Sequence, residues 1–174
     1  MGKVEIERKY IVDKELLPPL QDMLVESPAG IEQSYLGRKP SVRVRLSRKS
    51  GEARAFLTVK GKGKLVRAEY EYEIPYEDGE NLILLGTGHI QKTRWKVSYQ
   101  GKVWEIDFFH GPLEGLVLAE CELETETEPL AVPPWAAKEV TFDPTFTNQA
   151  LSDLSPEAIL YLSEKVRLAL RAKV

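Results

Sequence analysis

Apolar and polar residues alternate with period two through most of this chain, in short runs separated by turn signals. Successive side chains of a β-strand face opposite sides, so this alternation predicts half-buried strands rather than helices. The turn signals recur at Gly37-Arg38-Lys39-Pro40, Ser50-Gly51, Gly61-Lys62-Gly63, Gly86-Thr87-Gly88, Gln100-Gly101 and Gly111-Pro112. Between them the pattern predicts eight strands, over residues 3–12, 31–36, 42–46, 55–60, 65–74, 89–99, 103–109 and 116–126. Short strands with frequent turns read as an all-β barrel or sandwich. Three helices are expected beside them. One covers residues 13–27, with Asp13 as N-cap, although Pro18 and Pro19 interrupt its start. A short one covers 78–85. The third covers 155–173, where Ser155 caps, Pro156 takes the first helical position and Leu162, Val166 and Leu170 belong to an apolar side. The proline-rich stretch 129–134 reads as a loop.

All the strands except the second carry one apolar and one charged face. Arg43 and Arg45 oppose Val42, Val44 and Leu46; Thr58 and Lys60 oppose Leu57 and Val59. Arg67, Glu69, Glu71 and Glu73 oppose Val66, Ala68, Tyr70, Tyr72 and Ile74. Lys92, Arg94 and Lys96 oppose Thr93, Trp95 and Val97, and Glu105 and Asp107 oppose Trp104, Ile106 and Phe108. Glu120, Glu122 and Glu124 oppose Ala119, Cys121 and Leu123. The first strand places Glu5, Glu7 and Lys9 on one face. An antiparallel sheet commonly keeps one charged face in water. Here, however, the signs segregate: the third and sixth strands are basic, while the fifth, seventh and eighth are mostly acidic. Eight strands suffice to close a barrel whose interior holds one small ligand. With the charged faces inward, a metal–polyphosphate complex would satisfy both halves, carboxylates taking Mg²⁺ or Mn²⁺ and guanidinium groups taking phosphate oxygens.

The composition fits one domain spanning residues 1–174 with a real core: 43% of the residues are apolar and 29% charged. The net charge of −3 argues against a nucleic-acid surface. Cys121 is the one cysteine, so no intrachain disulfide can form, and a small buried apolar side chain is the expected role. No apolar run reaches the length of a membrane span and no signal-like stretch opens the chain, so a soluble cytoplasmic protein is expected.

The motifs occur in a fixed order: Glu5-x-Glu7-x-Lys9, Gln33-x-Tyr35, Arg43-x-Arg45, Leu57-Thr58-Val59-Lys60-Gly61, Arg67-x-Glu69-x-Glu71, Lys92-Thr93-Arg94, Glu105-x-Asp107, Glu120-x-Glu122 and Glu139-Val140-Thr141. In that order the chain resembles the CYTH superfamily, the triphosphate tunnel metalloenzymes, over residues 3–151. The resemblance implies a mainly β (α+β) fold, an eight-stranded antiparallel closed barrel with peripheral helices and a C-terminal helix. It also implies Mg²⁺- or Mn²⁺-dependent hydrolysis of a small-molecule triphosphate. Glu5, Glu7 and Glu122 would hold the metal, with Glu120, Glu71, Glu69 and Asp107 supporting it or holding a second ion. Arg43, Arg45, Lys60, Arg67, Lys92 and Arg94 would grip phosphates, and Lys9 with Tyr35 would handle the attacking water. Inorganic tripolyphosphate is the expected substrate. Nucleoside or thiamine triphosphatase, class IV adenylate cyclase, or a non-catalytic polyphosphate- or nucleotide-binding module are the alternatives. The cyclase branch's His-Phe pair is missing, and His89 and His110 read as surface residues. Relatives are often homodimers, and this chain's oligomeric state stays open. One departure stands out: the stretch Phe146-Thr147-Asn148-Gln149-Ala150-Leu151-Ser152 lacks the lysine that family members often carry there.

Overall fold

The computed structural model describes residues 3–61 and 66–172, with the backbone alone at residues 3–5, 66 and 67. Its strands are β1 (Lys3–Val12), β2 (Leu24–Arg38), β3 (Ser41–Lys49), β4 (Glu52–Lys60), β5 (Val66–Ile74), β6 (Thr87–Tyr99), β7 (Lys102–Phe109), β8 (Val117–Glu122) and β9 (Ala136–Glu139). The helices are α1 (Tyr76–Leu85), α2 (Asn148–Leu151) and α3 (Pro156–Arg171). The strand order is β5-β4-β3-β2-β6-β7-β8-β1, and β1 also pairs with β5, so these eight antiparallel strands form a ring. The joining ladder runs from Lys3 opposite Glu69 to Ile6 opposite Val66. Past that point β1 turns the same edge to β9, which pairs with Tyr10, Ile11 and Val12. An unpaired edge is thereby covered, as an exposed strand edge requires.

The expected barrel is present, with three changes in its elements. No helix spans residues 13–27. Two single turns of 3-10 helix, Lys14–Leu16 and Leu20–Met23, stand there instead, on either side of Pro18 and Pro19. Two successive prolines remove backbone donors and push the preceding residue out of helical conformation. Asp13 does cap, accepting from the Glu15 N–H at 3.1 Å, but only for the first turn. Second, β2 is longer than its alternation suggests, because it pairs along both edges with β3 and β6. Third, β8 stops at Glu122, and β9 forms where no strand is predicted. The C-terminal helix has the expected cap: Ser155 Oγ accepts from the Ala158 N–H at 3.2 Å. Leu65 and Lys173, the expected first residue of β5 and last of α3, lie outside the described residues.

The apolar residues form three clusters. Outside β1, β6, β7 and β8, Trp104 meets Trp135 edge to face and Tyr10 at a tilt, with ring centroids 5.4 and 5.6 Å apart, among Val97, Ile106, Ala119 and Cys121. Such aromatic pairs add roughly 0.5–1.5 kcal/mol beyond burial. Outside β3 and β4, α1 places Ile83 on Val44, Leu46 and Ala55. The third cluster lies inside one end of the ring. Ile11, Ile90, Phe109 and Leu118 share the parity of the charged inner residues of their strands, and Phe146, Leu151 and Leu162 cover them. An apolar plug therefore closes one end of an otherwise charged interior on the β1, β6, β7 and β8 side. Among the described residues no helix is long and apolar enough to cross a membrane.

Helix α1 can approach the sheet because residue 79 is glycine. A Cβ there would overlap the Ala55 methyl and come within 2.9 Å of Leu46 Cδ2. Gly79→Val is expected to destabilise the fold by about 1–3 kcal/mol. An unchanged urea midpoint would show that α1 does not pack at this distance.

Candidate active site in the barrel interior

Register determines which charges meet. Glu7 lies opposite Glu122 and Lys9 opposite Glu120, where β1 pairs with β8. On the next ladders Arg94 faces Asp107 and Lys96 faces Glu105, while Thr58 faces Glu71 and Lys60 faces Glu69. Cross-strand neighbours on one face are close enough to interact directly. The result is a set of ion pairs running around the inner wall.

Arg94 is the most heavily partnered of them. Its Nε and Nη2 donate to the two oxygens of Asp107 at 2.7 Å each, Nη1 donates to Glu105, and Nη2 also reaches Glu120 at 3.3 Å. Bidentate guanidinium–carboxylate pairs are among the strongest polar contacts a protein forms. Lys92 donates to Asp107 at 2.5 Å and to Asn148 Oδ1 at 3.3 Å. Lys9 pairs with Glu120 at 2.8 Å and donates to the Phe146 carbonyl at 3.2 Å. On the opposite wall Arg45 Nη2 lies 3.1 Å from both oxygens of Glu71, which also accepts from Thr58 Oγ1 at 2.9 Å. Arg43 donates to Thr58 at 3.2 Å and stands 3.6 Å from Glu71. Lys60 pairs with Glu69 at 3.1 Å.

Burial and partners pull the proton equilibria apart. Burial alone would raise Glu120, but Lys9, Arg94 and Lys92 hold it well below the usual carboxylate range. Burial opposes Asp107 in the same way, and Arg94 and Lys92 outweigh it, so this carboxylate stays ionised. Lys92 is the member of that pair that yields: burial pushes its ammonium down to about 8 despite Asp107. Arg45 is pushed down to about 10, first by burial and then by Arg43 beside it. The Nε atoms of both Arg43 and Arg45 are buried with no hydrogen-bond partner among the described residues. Buried donors without acceptors are rare in native proteins and call for an occupant.

Two cavities occupy the interior. The larger, about 880 Å³, includes Glu7, Glu122, Arg43, Arg45, Arg94 and Lys60 in its wall and reaches Glu26, Lys49, Arg54 and Lys96. The smaller, about 630 Å³, is lined by Lys9, Tyr35, Thr141 and Thr147 and reaches Arg38, Lys39 and Gln149. Glu7, Arg43, Lys60 and Asn148 belong to both.

The expected site residues thus separate. Arg43, Arg45, Lys60 and Arg94 line the larger cavity with Glu7, Glu69, Glu71, Glu120 and Glu122, while Lys9 and Tyr35 line the smaller. Lys92 and Asp107, each 2% exposed, stand behind Arg94 and line neither. The side chains of Glu5 and Arg67 lie outside the described residues, although the backbone places them opposite each other. His89 is exposed, and His110 touches Thr93 Oγ1 at 2.8 Å, away from both cavities. Two contributions escape sequence reasoning. Thr147 and Asn148 enter from α2 and its cap, and Glu26, Lys49 and Lys96 form a linked group at the far mouth, at 2.8 and 3.1 Å. Asn148 lies in the stretch noted for its missing lysine; Glu26 carried no signal, because the strand it belongs to was not expected to begin so early.

No group of three carboxylates, histidines or cysteines among the described residues converges on a metal position. The donor set nonetheless fits a hard divalent cation. Glu120, Glu69, Glu71 and Asp107 are engaged by basic residues, and Glu7 and Glu122 lie opposite each other on neighbouring strands. Like charges directly opposite repel unless a cation bridges them. Glu5 follows on the same strand at the same parity.

Comparison with known proteins gives the chain's family. The CYTH domain model matches residues 3–154. An inorganic triphosphatase of Acetivibrio thermocellus is 38% identical over 154 residues, covering 87% of this chain and 94% of that protein. An inorganic triphosphatase of Nitrosomonas europaea is 34% identical over 157 residues, covering 85% of this chain and 96% of that protein. A crystal structure of an inorganic triphosphatase superposes with a TM-score of 0.60 at 30% identity, over 87% of this chain and 99% of that one. With the match extending from the first strand through α2, the chain belongs to the CYTH domain family.

Proposed function

We propose that this protein is a metal-dependent triphosphatase that hydrolyses inorganic tripolyphosphate to pyrophosphate and phosphate inside the barrel, with residues 1–174 acting as one domain. The observation that carries the reading is the pair of buried Nε donors of Arg43 and Arg45, without an acceptor among the described residues, in the wall of a cavity that Glu7 and Glu122 also line. An anion with oxygens on several sides satisfies these donors, and a divalent cation bound to that anion would sit against the carboxylates. The two inorganic triphosphatases at 38% and 34% identity support the same reading.

Arg43, Arg45, Lys60 and Arg94, with Arg67 expected beside them, grip the phosphate oxygens. Their neighbouring carboxylates hold each cation in place, so little reorganisation accompanies binding, the condition under which electrostatic stabilisation is largest. Glu7, Glu122 and Glu5 would hold Mg²⁺ or Mn²⁺, which when bound neutralises phosphoryl charge and polarises the reacting phosphorus. Lys92 and Asp107 act on Arg94 from behind. Lys9 is held by Glu120 and by the Phe146 carbonyl, which fixes its ammonium in the wall of the smaller cavity with Tyr35. Lys9 and Tyr35 orient the attacking water. Its oxygen forms the new bond to the terminal phosphorus, the bridging P–O bond breaks, and pyrophosphate leaves. Positioning and charge neutralisation carry most of such a reaction.

Phosphate release from tripolyphosphate is expected only with Mg²⁺ or Mn²⁺ present, and kcat/KM for tripolyphosphate is expected to exceed that for ATP, GTP and thiamine triphosphate. Thermal stabilisation by tripolyphosphate without metal-dependent release would leave a binding module instead. Glu7→Gln is expected to remove turnover while the unfolding midpoint holds; near-normal activity would take Glu7 out of the metal site. Arg45→Ala is expected to lower kcat/KM about 100-fold, and a change below threefold would show that its Nε does not meet substrate.

A further inference from the structure

Asn148 is the first residue of α2 and, among the described residues, the one from outside the barrel strands that lines both cavities in company with Glu7, Arg43 and Lys60. Its Oδ1 accepts from Lys92 Nζ at 3.3 Å. An ammonium can only donate, so the amide must present its oxygen to Lys92 and turn its Nδ2 hydrogens the other way. Among the described residues Nδ2 has no acceptor, and it is not among the buried polar atoms. It therefore offers two N–H groups to open cavity space at the junction.

The placement of α2 holds this orientation. Thr147 Oγ1 accepts from the Ala150 N–H at 3.2 Å, Arg38 pairs with Asp153, and Gln149 Nε2 reaches the Arg38 carbonyl at 3.5 Å. Leu151 is buried in the apolar plug. The side chain is thus fixed from both sides, by a cation it accepts from and by a backbone anchored to the end of β2. Lys92, buried behind the cavity walls, reaches their contents only through neighbours, Asn148 on one side and Asp107 with Arg94 on the other.

We propose that the Asn148 amide is a substrate-contacting donor that meets a phosphate oxygen where the two cavities join, and that Lys92 is a positioning residue acting through it. The proposal rests on the triphosphatase reading above. A neutral donor suits this place because Lys9, Lys60, Lys92 and Arg43 already supply the local positive charge, and a further cation would repel them.

The test compares Asn148→Ala with Asn148→Asp in tripolyphosphate hydrolysis at saturating Mg²⁺ and in calorimetric titration with tripolyphosphate. The aspartate variant keeps an acceptor for Lys92 and improves that pairing, but it replaces the donor facing the cavity with a negative charge. A merely structural Asn148 would make Asp harmless and Ala harmful. A substrate donor gives the opposite order: about a 10-fold loss in kcat/KM for Ala and about 100-fold for Asp, with weaker tripolyphosphate binding in the same order and an unfolding midpoint in Asp no lower than in Ala. Asn148→Ser, whose hydroxyl both accepts and donates, is expected to recover part of the Ala loss. Asp within threefold of the unaltered protein in both measurements overturns the proposal. Should the unaltered protein show no turnover, the triphosphatase reading fails, and the binding affinities alone decide the role of Asn148.

Discussion

Everything in this structure depends on neutralising charges that ring closure removes from bulk water. Taking an isolated charge out of water costs several kcal/mol, so each inner residue needs a partner in the wall. The antiparallel ladders supply them: Arg94 opposite Asp107, Lys96 opposite Glu105, Lys9 opposite Glu120 and Lys60 opposite Glu69. A register slip of one residue would break all four pairings and turn Ile106, Ala119 and Val97 into the interior. Register is therefore specified twice, by the apolar outer face and by the charged inner one.

Neutralisation is uneven, and the unevenness is where chemistry becomes possible. Around Arg94 the carboxylates Asp107, Glu105 and Glu120 each have basic partners, and Asp107 and Glu120 are held ionised. On the β3 wall acceptors are scarcer: Arg43 and Arg45 share Glu71, and each keeps a buried Nε without an acceptor among the described residues. On the β1–β8 ladder Glu7 meets Glu122. An interior with buried donors lacking acceptors on one wall and an acidic pair on another is complementary to a polyanion that carries a cation with it.

Much of this was legible in the alternation. Period two sorts inner from outer residues along most of the described strands, because a strand's parity follows from local geometry alone. Which charges pair is a different matter, since it depends on register between segments far apart in sequence. Lys92 and Arg94 look equivalent on β6, yet only Arg94 lines a cavity. Residues 13–27 read as a helix with Asp13 as its cap, but the two prolines and the long pairing of β2 win. β9 left no trace, since four residues are too few for a pattern, and α2 contributes Asn148 from a turn of similar length.

The contrast between Lys92 and Arg94 has a specific cause. Lys92 pairs across the ladder with Phe109, one step nearer the plug than Arg94 with Asp107. Its ammonium sits 5.4 Å from the Phe109 ring centroid, at the boundary where the inner face turns from charged to apolar. Burial there lowers its affinity for a proton and leaves it dependent on Asp107 and Asn148. The plug therefore does more than seal one end: where Ile11, Ile90, Phe109 and Leu118 stop and the charges begin decides which basic residues meet the cavity and which act behind it. Because Phe146, Leu151 and Leu162 complete that plug, the C-terminal segment helps set the length of the charged interior, although its strands are all elsewhere.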